Sequence, residues 1–253
     1  MKHYEKLVEL GCFSRGELAE LLGCDATAAS MIQSYIQKGT IERIRHDLYA
    51  VISLESKQPI PSRYWIGTHI FPDACVSHHS AFEFYGCANQ VFYETYVTTK
   101  SRFSDFTYDG VRYRRVYPRC EAHVIQTGGV RVTSMERTVI DSTNDFEKIG
   151  GLEELLRCIL LIPTLDWKKL LEVLACYRSG YLYQKCGFLL EQLNSTLGIP
   201  KQFFDECHKH ISASKKYLMK DGIQKDWQEK WNLYAPNSIS RLIDKGVPAH
   251  DTL

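Results

Sequence analysis

Three of the four glycines in the first forty residues, Gly11, Gly23 and Gly39, each close a short amphipathic run. A chain that stops a helix after two or three turns, restarts it and stops it again builds small helices that must bury their apolar sides on one another. Residues 2–10 place Tyr4, Leu7 and Val8 along one side. Ser14-x-x-Glu17 then has the form of a capping box, in which the hydroxyl accepts from the backbone three residues on and the glutamate reaches back. It opens a run over 15–22 with Leu18, Leu21 and Leu22 facing inward. Asp25 or Thr27 caps a third run that extends to about Lys38.

After Gly39 the period changes. Residues 40–52, TIERIRHDLYAVI, read as two short strands joined at His46-Asp47, where aspartate tolerates the turn conformation. Helix, short turn, helix, then a hairpin is the pattern of a winged helix-turn-helix, whose second helix can enter a major groove. On the third run Ala29, Ile32 and Ile36 are expected to face the scaffold. The opposite side carries Thr27, Ser30, Gln33, Ser34 and Gln37, hydroxyls and amides that can bond phosphates or read base edges. The hairpin adds Arg43, Arg45 and His46 as cationic groups for a phosphate backbone. Such bundles also serve as protein-interaction modules, and the charge of this segment, six basic residues against seven acidic in the first 52, favours that rival. One copy binds DNA weakly, so a homodimer on DNA is expected.

Residues 53–64, with two prolines, read as a linker. Beyond it come a short helix over 64–70, a helix starting near Ser77 or Ser80 and ending at Gly86, strands in VFYETYVTT and VRYRRVYP, and a hairpin around Gly128-Gly129. The expected fold class is α+β: a winged helix-turn-helix over 1–55, then a mixed domain over 64–253, strand-rich to 133 and a helical bundle after it. Apolar stripes over 151–162, 166–177, 181–197 and 201–212 supply the bundle. Trp227, Trp231 and Tyr234 sit at near-helical spacing in the tail and are expected to dock on the parent fold.

Several segments in one order, the wing ending in LYA, SHHSAFEFYG (77–86), the YVTT strand and VRVTSMERTVID (130–141), resemble the AbiEi family of antitoxins of abortive-infection type IV toxin–antitoxin systems. The resemblance covers roughly residues 1–145 and is loose over the helical remainder. It implies an N-terminal winged helix that represses its own operon by binding inverted repeats, and a C-terminal domain that counteracts a nucleotidyltransferase-like toxin. The chain departs from the family at Asp47, where the family has glycine before the Leu-Tyr pair.

Enzymatic readings find little to stand on. Ser77-His78-His79-Ser80 pairs two histidines that diverge on any regular element, so they do not share a metal easily. The serines there read better as helix caps. Glu136, Arg137 and Asp141 suit an orienting ion pair, since Arg137 and Asp141 are four apart. Asp141, Asp145 and Glu147 match no recognisable metal spacing. No glycine-rich phosphate loop occurs, and the nine cysteines are scattered singly without a C-x-x-C pair, which reads as reduced structural thiols. No catalytic residue, metal or cofactor is expected.

Net charge is +1, yet residues 100–119 hold six basic residues against two acidic. Arg112, Arg114 and Arg115 are therefore a candidate surface for the toxin or for flanking DNA. Without an apolar run of about 18 residues or a signal sequence, the chain is expected in the cytoplasm and off the membrane. The expected function is an antitoxin and autorepressor; the rivals are a winged-helix regulator with no toxin partner and a nuclease-type enzyme.

Overall fold

Where each short apolar run stops is decided by its caps. Ser14 Oγ accepts from the Glu17 amide at 3.1 Å while the Ser14 amide donates to Glu17 Oε2 at 2.7 Å, so both halves of the capping box form. Gly23 ends that helix at φ +72°, a left-handed conformation that glycine reaches without strain. In the computed structural model, which describes residues 3–219, 226–239 and 242–243, the resulting architecture mixes helices with several sheets. Its described residues form two compact units, one from Met1–Val76, Phe92–Pro118 and Ile125–Val132, the other from Ser77–Val91, Arg119–Val124 and Thr133–Leu253. The boundary expected at 53–64 thus lies inside the first unit. The expected helix start at Lys2 and the tail from 244 onward lie outside the described residues.

The first unit begins with helices α1 (Tyr4–Leu10), α2 (Arg15–Leu22) and α3 (Asp25–Gln37) and strands β1 (Cys12–Phe13), β2 (Ile41–Arg45) and β3 (Leu48–Val51). The strands form an antiparallel sheet in the order β1-β3-β2, with Asp47 at φ +56° in the turn. Leu7, Phe13, Leu18, Ala28, Ile32 and Val51 are buried in one cluster, which supplies the apolar term that three helices too short to persist alone require. The hairpin has a second apolar side. Ile44 and Leu48 are buried with Ile66, Val97 and Tyr113, so β2 and β3 are sandwiched between the small helices and the larger sheet of the same unit.

That larger sheet follows α4 (Arg63–His69), which Ser62 caps by accepting from the Trp65 amide at 3.2 Å. Its strands are β4 (Cys75–Val76), β5 (Glu94–Thr98), β6 (Phe106–Tyr108), β7 (Val111–Val116), β8 (Val124–Thr127) and β9 (Val130–Thr133), in the order β6-β7-β5-β4-β9-β8. Pairing is mixed: β5 runs parallel to β7 and antiparallel to β4, and β4 runs parallel to β9. Asp109-Gly110 turns the β6–β7 hairpin with both residues at positive φ, the backbone of a type I′ turn. Strands β4 and β6, of two and three residues, are too short to announce themselves by alternation.

The second unit is helical: α5 (His78–Phe84), α6 (Met135–Asn144), α7 (Leu152–Leu160), α8 (Trp167–Tyr177), α9 (Gly180–Gln192), α10 (Asn194–Leu197) and α11 (Lys201–Lys209). Leu155, Leu156, Leu170, Leu174, Phe188 and Phe203 belong to its core. The run expected over 181–197 is broken at Leu193 into α9 and α10. The tail aromatics correct their helical spacing. Trp227 lies in β11 (Trp227–Gln228), Trp231 ends a 3-10 turn (Glu229–Trp231) and Tyr234 lies in β12 (Leu233–Tyr234), with β10 (Lys216–Tyr217) completing a small sheet. The docking itself is present: Trp231 is 2% exposed, stacks on His208 at 4.2 Å and donates to Glu191 at 2.8 Å.

Candidate functional site

Helix α3 starts at Asp25 with Cys24, not Asp25 or Thr27, as its N-cap. Asp25 instead pairs with Arg15, whose Nε donates to it at 2.8 Å, and the Arg15 amide donates to Asp47 at 2.9 Å. These contacts tie the start of α3 and the hairpin turn to the start of α2. The helix turns about one residue from the expected orientation: Ala28, Ile32 and Tyr35 are buried, whereas Ile36 is 41% exposed. A larger aromatic at 35 fills the scaffold side, and the isoleucine left outside joins the polar face. Thr27, Ser30, Gln33 and Gln37 are exposed and Ser34 is half-buried. Ser30 Oγ donates back to the Ala26 carbonyl at 3.1 Å, leaving its lone pairs to accept.

The hairpin divides its three candidate cations. Arg43 and His46 are exposed. With Arg15, Asp25, Asp47 and Tyr49 they line a surface depression beside the start of α3. Arg45 is turned the other way. Its guanidinium lies over Phe71, Phe103 and Phe106 at 5.3, 5.4 and 5.5 Å, and its buried Nη1 has no hydrogen-bond partner. Burial lowers its pKa. Arg45 therefore belongs to an aromatic box, not to the hairpin's outer surface: strict alternation would put Arg43 and Arg45 on one face, but the register of β2 against β3 shifts between them, and the second arginine turns inward against the larger sheet. It also borders a cleft of about 630 Å³ lined by Glu17, His46, His69 and Arg131 among others.

The basic stretch of β7 is largely neutralised within its own sheet. Arg114 reaches Glu94 at 3.2 Å and Asp105 at 3.5 Å, and Arg112 reaches Asp105 at 3.4 Å. Arg115 donates to the carbonyls of Ser101 at 2.6 Å and Lys100 at 3.0 Å. Of the three, Arg112 keeps the most exposed side chain that could meet a partner. The Glu94 carboxylate and burial together push the Tyr96 hydroxyl up to about 12, with burial the larger cause.

In the second unit, His78 and His79 are both buried. His78 Nδ1 meets Ser77 Oγ at 2.9 Å, and burial lowers the imidazole to about 4. Arg137 and Asp141 form a buried pair at 3.3 Å; Arg137 also donates to the Ala122 carbonyl and Tyr177 donates to Asp141 at 2.5 Å. Glu136 accepts from the Asp166 amide at 3.2 Å. Each member of this constellation is committed to holding neighbouring segments. One cluster was missed from sequence: His79, Glu154 and Cys158 bring metal-ligating atoms within 4.8 Å of one another. The signal lay in two i,i+4 pairs, His79/Glu83 and Glu154/Cys158, rather than in the adjacent histidines.

No helix among the described residues is long and apolar enough to cross a membrane. No protein-family model matches the chain. No curated protein matches it. By fold it is similar to the crystal structure of the RV2827C protein from Mycobacterium tuberculosis, at a TM-score of 0.59 and 13% sequence identity over 88% of this chain and 85% of that one. At that identity the likeness is one of fold alone.

Proposed function

We propose that α2, α3 and the β2–β3 hairpin act as a winged helix-turn-helix, and that the protein is an antitoxin and DNA-binding autorepressor of a type IV toxin–antitoxin operon. The observation that carries this reading is the outward presentation of Thr27, Ser30, Gln33 and Gln37 on α3, held by Ala28, Ile32 and Tyr35 beneath them. A side lined by neutral donors and acceptors suits base edges in a major groove, where an amide bonds adenine in two places. Arg43 and His46 stand next to it for phosphate contact. The toxin half of the reading rests on the resemblance of residues 1–145 to AbiEi-family antitoxins. A dimer on inverted repeats accounts for how a nearly neutral module achieves a specific site.

Gel shifts on the DNA upstream of the protein's own gene test the first half. Gln33→Ala should weaken specific binding about 5- to 150-fold, equivalent to about 1–3 kcal/mol for one base contact. Arg43→Ala should weaken binding to all sequences and lower the salt slope by about 1, while Arg45→Ala should leave that slope alone. A wild-type protein that ignores this DNA at low salt ends the reading. Co-expression with the adjacent gene, scored for growth rescue and co-purification, tests the second half. Specific DNA binding without rescue would favour the regulator that has no toxin partner.

A further inference from the structure

Helix α5 and helix α7 each offer two chemically suited side chains four residues apart, and so on one face: His79 and Glu83 on the first, Glu154 and Cys158 on the second. The two faces meet inside the second unit. His79 Nε2 lies 3.4 Å from Glu154 Oε1, and Cys158 Sγ lies 3.5 Å from the same oxygen. His79 is 0% exposed, Cys158 0% and Glu154 2%. None of these residues takes part in the DNA-binding surface.

We propose that His79, Glu154 and Cys158 form a zinc-binding site that clips α5 to α7. The His79–Glu154 distance favours a shared ion over a simple hydrogen bond, while the Cys158–Glu154 distance suits a thiol bond and a shared ion equally. Good N–H···O bonds cluster near about 2.9–3.0 Å, and a contact of 3.4 Å between two charged or polar groups in a dry core is long for one. Around tetrahedral zinc, with bonds of about 2.0–2.1 Å to nitrogen, about 2.0–2.2 Å to oxygen and about 2.3 Å to sulfur, the edge from nitrogen to oxygen is about 3.3–3.5 Å and that from oxygen to sulfur about 3.5–3.7 Å. The observed separations match both edges. Imidazole, carboxylate and thiolate together suit zinc rather than a hard, all-oxygen cation.

The surroundings fit the same ion. Glu83 Oε1 lies 3.4 Å from His79 Nδ1, with 3% of its side chain exposed, which puts a carboxylate beside the ring nitrogen opposite the proposed metal-binding one. Glu154 is fixed by the amides of Asn89 and Gln90, both 3.1 Å from Oε1. Both backbone donors fall on Oε1, and the Asn89 side-chain amide reaches Oε2 only at 3.5 Å, so the second oxygen keeps acceptor capacity for a metal. One thiolate and one carboxylate cancel the charge of the ion. The three protein ligands leave the fourth position to water.

The test uses the full chain with Cys24→Ser and Cys176→Ser, which removes the two exposed thiols as adventitious ligands. After chelator treatment and dialysis, Co(II) titration should give one bound ion per chain and a thiolate-to-cobalt charge-transfer band, both abolished by an equivalent of Zn(II). Cys158→Ser should lose the band. His79→Gln should weaken uptake, and Glu83→Gln should do so about 10- to 100-fold. Bound zinc should raise the thermal midpoint of the parent protein. Failure of the folded parent to take up stoichiometric Co(II) or Zn(II) overturns the site, as does a thiolate band that survives Cys158→Ser. Should Cys158→Ser fail to fold, the parent's uptake and the His79→Gln spectrum decide.

Discussion

Gly187 sits inside helix α9, where alanine would ordinarily stabilise by about 1 kcal/mol. The tertiary structure reverses that expectation. A methyl added there would lie 2.0 Å from Trp231 Cζ3 and 2.2 Å from Cη2. Restoring an ordinary carbon–carbon contact of about 3.5 Å requires the ring to retreat by about 1.5 Å. It has little room to do so, because it is stacked on His208 at 4.2 Å and bonded through its indole nitrogen to Glu191. Overpacking a filled site costs about 1–3 kcal/mol, and a clash this close belongs at the upper end. If the ring is expelled instead, about 150–250 Å² of aromatic surface at about 25 cal/mol/Å² forfeits about 4–6 kcal/mol. Subtracting the helical gain leaves Gly187→Ala destabilising by about 2–5 kcal/mol. Urea unfolding followed by circular dichroism should show the midpoint lowered by about 1–2 M, for a slope near about 2–3 kcal/mol/M. The double variant Gly187→Ala/Trp231→Leu should cost less than the two single changes combined. An unchanged or raised midpoint for the single variant would refute the reasoning.

Three further outcomes follow from other sites. Arg45→Met should leave stability unchanged or raise it by up to about 1 kcal/mol in thermal melts, because it removes a half-buried cation with an unpartnered Nη1 from among three phenylalanine rings; a fall of several kcal/mol would mean the guanidinium has a partner. The Asp73 carboxylate is held below its ordinary value: burial alone would raise it, but bonds from the Thr99 hydroxyl and Lys100 amide outweigh that. Its contribution is therefore present at neutral pH and lost as pH falls through the acidic carboxylate range, so Asp73→Asn should be less stable at pH 7 and the gap should close on acidification. Cys24, exposed at the start of α3, has its thiol pKa lowered by a side-chain hydrogen bond from Thr27 and by the amides of Thr27 and Ala26. Mass spectrometry after limiting N-ethylmaleimide should find it modified first; equal labelling of a buried cysteine such as Cys186 would contradict this.

The local punctuation of the chain was legible without coordinates. Ser14 and Glu17, the glycines at 11, 23 and 39, and Asp47 act within three or four residues, so their geometry follows from chemistry that the sequence already displays. The polar side of α3 was legible for the same reason, because a 3.6-residue period needs no partner to be recognised. Its orientation was off by about one residue, since Tyr35 and Ile36 are comparably apolar and only the shape of the scaffold decides which one it buries.

What the sequence determined alone, then, is where the short N-terminal helices stop and where the tight turns fall. What the tertiary structure decided is where side chains with two possible fates point. Arg43 and Arg45 look alike on paper and would share a face of a regular strand, but the register shift between them in the sandwiched β2 sends one outward and encloses the other in aromatic rings. His79 and Glu154 stand 75 residues apart, and no local period can bring them within 3.4 Å. The physical reason is range: caps and periodicity act over a few residues, whereas burial and long-range pairing are settled only when distant apolar faces have found each other.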